Sequence, residues 1–408
     1  MPQRSLTKEE RAEALRKWWA TFPYGDIGQR TKAVHEFEQE YGPLTEEERR
    51  AAMYRWSPAQ KEKVGISKVF TAPTDIGEKE ALKLCAPPAQ LLDDSHYDFL
   101  LDETGMVETP AYDDEWPLCI LLKNVVPQSL LDAVRPIVRK AATQRKVAGG
   151  NRGVAAGTGM VARRNRNGQM SKIKGVPNLE DLSEEDYARL RSATDGTFGF
   201  NSRSVRGGQV YPCRITEYSG ALTVEWALMG VLAKTVAESF KQSWASNRWE
   251  AQFAKASQTS PTWLLQTSDG ITPFTTITCN KSWRTAAHVD KGDLKEGFGV
   301  MCCLGDFSGC HLVFPRYRVA VNYQEGDVLL ANVHQVHGNT PLLNPDGSVP
   351  RVGREPERLV CVFYYQEKMD QCLRTKDEED DFINSRERGD AMWKPKTKTK
   401  KKAKAAKA

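Results

Sequence analysis

From Thr272 onward, apolar residues gather into short runs separated by turn formers. Phe298 to Leu304 is one run, Leu312 to Pro315 a second and Gly326-Asp327-Val328-Leu329-Leu330 a third, with Gly305-Asp306-Phe307-Ser308-Gly309 intervening. Runs this short, bounded by Gly, Asp and Ser, predict strands, and several at this spacing predict a β-sandwich or barrel. A further run, Arg358 to Gln366, is β-branched and aromatic and reads as a buried strand. Upstream the period becomes helical. Thr7-x-x-Glu10 and Thr45-x-x-Glu48 are capping boxes ahead of charged helices, with Trp18, Trp19, Phe22 and Tyr24 as apolar anchors. Ser129 to Lys146 keeps a helical period despite Pro136, and Thr223 to Glu250 predicts one or two supporting helices.

Within 408 residues this pattern divides into a helical N-terminal extension (1–115), a main domain (116–372) and a charged tail (373–408). The extension ends in an acidic stretch between Ala86 and Pro117 that lacks Lys and Arg and reads as a solvated linker. Inside the main domain, 147–179 holds no acidic residue and reads as a basic, Gly-rich loop. Arg163, Arg164, Arg166 and Lys172 on it are placed to follow a phosphate backbone. The net charge of +5 comes from the tail, where eight lysines fall in the last fifteen residues, disordered from Lys394 and able to address a nucleus. Without those lysines the remainder is slightly acidic, so a nucleic-acid surface must be a local patch. Nine cysteines without a CxxC pair predict a reduced, intracellular chain. Met1 to Ser5 has no signal-peptide core, and no apolar stretch reaches membrane-spanning length.

The residues that carry chemistry are His288-Val289-Asp290, His337 and Arg358. Two imidazoles and a carboxylate form the set that holds non-haem Fe(II) on one face and leaves the other free. On an ideal strand His288 and Asp290, two apart, face the same side. His334 competes with His337, but the two lie an odd number of residues apart. His337 is chosen because Gly338 and Pro341 end the strand there, at the mouth of a barrel. His35, His96 and His311 read as ordinary surface or core histidines. Arg358 opens a buried strand and needs an anion, because an unpaired buried charge is costly. The distal carboxylate of 2-oxoglutarate would supply it in a bidentate fork. Asn280 and Arg284 are the candidates for the cosubstrate's other carboxylate. Parity puts Val360, Val362, Tyr364 and Gln366 on the face of Arg358.

Together, Phe274 to Asn280, the H-x-D, the Gly-Asp-x-Leu-Leu strand, His337-Gly338-Asn339-Thr340-Pro341-Leu342 and the strand from Arg358 resemble the TET/JBP family of DNA-base dioxygenases, most closely its compact fungal TET-type members. The resemblance spans about residues 195–370 and implies an α+β fold: a double-stranded β-helix, the cupin-like jelly roll, braced by helices. It implies Fe(II) on His288, Asp290 and His337, with 2-oxoglutarate and O2 as cosubstrates. It makes Asp293 and Tyr364 contacts to a flipped base, and Gln366 another in place of the family's histidine; Asn201 lies in an upstream segment that touches the base or cosubstrate. The implied substrate is double-stranded methylated DNA, with 5-methylcytosine oxidised to 5-hydroxymethylcytosine and then to the formyl and carboxyl bases. The alternatives are N6-methyladenine demethylation, alone or alongside, and protein hydroxylation on the same barrel.

Overall fold

The computed structural model describes residues 7–21, 27–45, 68–86, 89–109, 117–143, 145–146, 163–164, 170–171, 194–206, 209–216, 219, 224–243, 245–267, 270–351, 354–373 and 377. Arg166, Lys172, Glu48 and the lysine tail lie outside these residues, and only the backbone of Arg163 and Arg164 is described. Helices α1 (Lys8–Thr21) and α2 (Ile27–Tyr41) form a pair whose rings Trp18 and Phe37 sit 4.7 Å apart. The capping box is present: Thr7 N donates to Glu10 at 2.9 Å and Glu10 N to Thr7 Oγ1 at 3.2 Å.

Two sheets build the remainder. In chain order the elements are β1 (Val69–Thr71), α3 (Glu78–Lys83), β2 (Phe99–Leu101), β3 (Gly105–Glu108), β4 (Cys119–Leu122), α4 (Gln128–Ala142), β5 (Thr194–Asn201) and β6 (Arg214–Ile215). They continue with α5 (Val224–Gln242), α6 (Ser246–Gln258), β7 (Thr276–Lys281), β8 (Gly299–Leu304), β9 (Leu312–Phe314), β10 (Val319–Val321), β11 (Val328–Ala331), β12 (Gly338–Asn339) and β13 (Leu359–Tyr364). The large sheet runs β1-β3-β4-β11-β8-β13-β7-β5-β6, and the small one β2-β10-β9-β12. Between them lies a core that includes Leu121, Met301, Leu329 and Val360 from one sheet and Leu312, Phe314, Val319 and Val321 from the other. The outer face of the large sheet is covered by α4 and α5, so Cys302, Leu304, Cys361 and Phe363 pack on Leu131, Val134, Val138 and Phe240. Burial on both faces explains why β8 and β13 read as unbroken apolar runs. This is the helix-braced jelly roll of an α+β protein.

Of the acidic stretch expected as a linker, 99–101 and 105–108 are strands of these sheets, while 87–88 and 110–116 lie outside the described residues. β2 pairs with β10, and β3 with both β1 and β4, so a boundary at 115 cuts through the large sheet. Its carboxylates are used locally: Asp93 accepts from Ser95 N at 3.0 Å, and Asp98 pairs with Arg318. The strands were hidden because each is only three or four residues long. A second correction concerns the cysteines. Cys213 and Cys372 form a disulfide with Cα atoms 5.8 Å apart across 159 residues of sequence, a separation at which no spacing motif operates. The other seven are free and largely buried, and burial pushes the Cys303 thiol up to about 12, which makes it core rather than nucleophile.

The turn after β8 is fixed by Gly305, at φ 118°, where an added Cβ would stand 2.0 Å from the Glu357 carbonyl oxygen, next to Arg358. Gly305→Ala is expected to lower stability by about 1–3 kcal/mol through overpacking. Gly347→Ala, at positive φ in open space, should show only the backbone cost of about 1 kcal/mol. Denaturant midpoints compare the two.

Candidate active site

The inner face of the large sheet is the floor of a cavity of about 630 Å³, lined by Thr278 and Asn280 of β7, Met301 of β8 and Val360, Val362 and Tyr364 of β13. The antiparallel register sets Asn280 opposite Val360 and Thr278 opposite Val362, so every second residue of each strand faces inward. After β7 the chain turns at Ser282, at φ 46°, and the segment 283–293 crosses the cavity as one wall.

His288 and Asp290 on that wall and His337 beside it offer ligand atoms all within 4.8 Å of one another. The Asp290 carboxylate lies 3.8 Å from His288 Nε2 and 3.7 Å from His337 Nε2. The first two are not on a regular strand as parity assumed. His288 instead makes a one-residue antiparallel bridge to His337, each backbone N–H donating to the other's carbonyl at 2.9 Å. His337 also precedes rather than ends its strand, β12. Each ring is fixed by a second bond: Nδ1–H of His288 donates to the Ala286 carbonyl at 2.8 Å, and that of His337 to the Gln335 carbonyl at 2.9 Å. This sets the tautomer that leaves both Nε2 lone pairs aimed at a shared point, the usual outer-shell device of a metal site. Burial and the neighbouring His288 hold the His337 imidazole well below its ordinary range, neutral at pH 7 as a ligand must be. His334 stays out of the cluster and bonds the Leu294 carbonyl at 3.2 Å.

Arg358 lies at the far end of the cavity, 3% exposed. Its Nη2 donates to the Tyr323 hydroxyl, and the guanidinium carbon lies 5.1 Å from the Tyr323 ring centre and 5.4 Å from that of Phe307. No carboxylate among the described residues pairs with it, and its Nε has no partner. Breaking a buried pair to leave such a charge costs about 3–5 kcal/mol, so the site is built for an anion to arrive. Asn280 Oδ1 is likewise buried without a partner and lines the same space. A dicarboxylate reaching from the metal set to Arg358 fits this donor set. Arg284 does not line the cavity; it donates to the Asn339 and Leu92 carbonyls at 3.3 and 2.6 Å. Tyr323 was missed in the sequence, although Val319, Val321 and Tyr323 alternate onto the inner face.

On the open side, Asp293 and Tyr364 line the cavity, and Tyr364 shares a 3.2 Å hydrogen bond with Thr278 Oγ1. Burial and the Asp290 charge push the Asp293 carboxyl well above its usual range. Gln366 does not reach the cavity. β13 ends at Tyr364, and the Gln366 amide is fully spent: Nε2 donates to the Phe200 carbonyl and Thr276 Oγ1, both at 2.9 Å, and Oε1 accepts from Ser202 N at 3.1 Å. Its backbone bridges Asp293, so it braces the wall of the cavity that carries Asp293. Asn201, at the end of β5, also lies outside the cavity lining.

A jelly roll carrying this donor set defines the 2-oxoglutarate- and Fe(II)-dependent oxygenase class, with O2 as the second cosubstrate. Residues 206–367 match the TET/JBP family model, the oxygenase domain of the 2OGFeDO superfamily. The thymine dioxygenase JBP1 of Trypanosoma brucei brucei is 33% identical over 195 residues, 46% of this chain and 22% of that protein. The bifunctional helicase and thymine dioxygenase JBP2 of Leishmania infantum is 47% identical over 76 residues, 18% of this chain and 7% of that protein. The matches thus span less than a quarter of these relatives' length. Among solved structures, NgTET1 in complex with 5mC DNA aligns at TM-score 0.41 and 11% identity, covering 77% of this chain and 100% of that chain.

Arg358→Lys is expected to weaken 2-oxoglutarate binding at least tenfold, about 1.4 kcal/mol, because an ammonium cannot reproduce the fork. Tyr323→Phe should weaken it less. Calorimetric titration of the Fe(II)-loaded protein under anaerobic conditions reads both, and unchanged affinity in Arg358→Lys would remove the arginine from the cosubstrate site.

Proposed function

We propose that this chain is an Fe(II)- and 2-oxoglutarate-dependent dioxygenase that oxidises the methyl group of 5-methylcytosine in DNA. The carrying observation is the pairing, across one cavity, of two tautomer-locked imidazoles and a carboxylate with a buried guanidinium that has no carboxylate partner among the described residues. Bound Fe(II), with 2-oxoglutarate and dioxygen, supplies the oxidising equivalent that turns methyl into hydroxymethyl while 2-oxoglutarate becomes succinate and carbon dioxide.

The protein's own work is positioning and exclusion of water. Arg358 and Tyr323 hold the distal carboxylate, with Asn280 serving the other. Met301, Val333, Val360 and Val362 keep the floor apolar. A target methyl lies inside the base stack, so the nucleotide must be extruded, at a cost of a few kcal/mol. The Tyr364 ring offers it a stacking face, and a carboxyl oxygen of Asp293 accepts from the exocyclic amino group of cytosine.

Thymine is the second reading, favoured by the names of the relatives and by the elevated Asp293 carboxyl. In its protonated form Asp293 donates to the carbonyl that thymine carries where cytosine has the amino group.

The test is mass spectrometry of nucleosides after incubation with Fe(II), ascorbate, 2-oxoglutarate and duplexes bearing 5-methylcytosine, N6-methyladenine or only thymine. The expected result is hydroxymethylcytosine, abolished in a His288→Ala, Asp290→Ala control. Hydroxymethyluracil alone would move the assignment to thymine. Succinate formed with every base intact would transfer it to a protein hydroxylase.

A further inference from the structure

One wall of the cavity comes from outside the family-matched stretch. Leu82 and Cys85, on and just after α3, line the space that also holds His288, Asp290 and Lys291. Ala81 is fully buried, and Leu84 and Cys85 pack with Ala287, Val289 and Val336, so this segment rests directly on the ligand-bearing wall. It is fastened at both ends. Asp75 takes two 2.8 Å hydrogen bonds from Arg316, which also donates to Gln335 Oε1 at 3.2 Å, and the Gln335 carbonyl is the acceptor that orients His337. At the other end Ala287 N donates to the Gln90 carbonyl at 2.8 Å, and Arg284 to that of Leu92. Residues 75–86 and 89–92 therefore form a strap whose place relative to the metal set is fixed.

At the mouth, Leu82 keeps 41% of its surface exposed. A lone exposed leucine needs no explanation, but this one has charged company. Lys79 lies three residues before it on α3, beside the exposed Glu78 and Glu80, of which Glu80 is paired with Lys83, and Lys291 lines the same mouth; both lysines are exposed and neither makes an ion pair among the described residues. An apolar tip with one lysine a turn away on its own helix and another on the shared cavity lining matches a polynucleotide, where an apolar base stack is edged by phosphates.

We propose that the strap is the DNA-facing lip of the active site, with Leu82 filling the stack beside the extruded nucleotide and Lys79 and Lys291 on the flanking phosphates. This rests on the proposed action on DNA. An extruded base leaves a gap that favours its return, and an apolar wedge in the gap offsets the lost stacking. Each lysine releases counterions from one phosphate and so steepens the salt dependence.

The experiment uses the full chain and a duplex with 2-aminopurine next to the target base, whose fluorescence rises on unstacking, together with kinetics on the same duplex and on one whose target faces an abasic site. Leu82→Ala is expected to cut the fluorescence rise at saturating protein at least threefold and raise KM about tenfold on the paired duplex. The pre-opened duplex should lose far less, and Leu82→Met should restore both. Lys79→Gln should shallow the slope of log affinity against log salt by about one. Wild-type behaviour of Leu82→Ala on the paired duplex, or an equal loss on both duplexes, would overturn the lip while leaving the proposed function standing. A wild-type protein that neither unstacks nor oxidises any duplex would overturn both.

Discussion

A guanidinium buried in the lining of a jelly-roll cavity, with no carboxylate beside it among the described residues, is the constraint on which the site turns. β13 lies between β7 and β8 with both faces covered, so its alternate residues must suit either the helices or the cavity. Arg358, at its start, has one phenol oxygen and two aromatic faces for company. These disperse the charge without neutralising it. The ligand-free fold is thus under-compensated at one point, and an anion that binds there stabilises the folded state by the mass action of its own affinity. Binding and folding are coupled through a single side chain.

At the opposite end the constraint is orientation. Neither histidine is held by regular secondary structure, and their mutual bridge is one residue long. Backbone carbonyls two residues upstream of each ring do the holding. One of those carbonyls belongs to Gln335, whose side chain is tied through Arg316 to Asp75. The direct hold on each ring is local in sequence, and the support behind the Gln335 carbonyl is not.

This difference explains what could be read from the sequence. The long buried strands, the H-x-D and Arg358 were legible because each is a local pattern or a residue type out of place. β2 and β3 were not, because three- and four-residue strands within an acidic stretch carry too little period to outweigh composition. Gln366 was misread because parity was carried past the end of β13, where the chain leaves the strand and the amide is consumed by Phe200, Ser202 and Thr276. Arg284 was misread because an arginine near a site can as well serve carbonyls. Tyr323 was within reach, since the alternation from Val319 delivers it to the cavity.

The Cys213–Cys372 bond has a topological consequence. It closes a covalent ring that contains both histidines, Asp290 and Arg358, and on a loop-entropy model closing so long a loop removes on the order of 5 kcal/mol of freedom from the unfolded chain. A backbone cut in any loop inside the ring, such as the exposed turn at Gly347, releases no fragment. The strap is different: it precedes Cys213, outside the ring, and its one covalent link to the ring is the backbone between them, so after a cut there only hydrogen bonds, ion pairs and packing would hold it. The chain is therefore divided into a part that carries the reactive centre as one tethered piece and a part that could be severed from it, and the lip of the cavity belongs to the second.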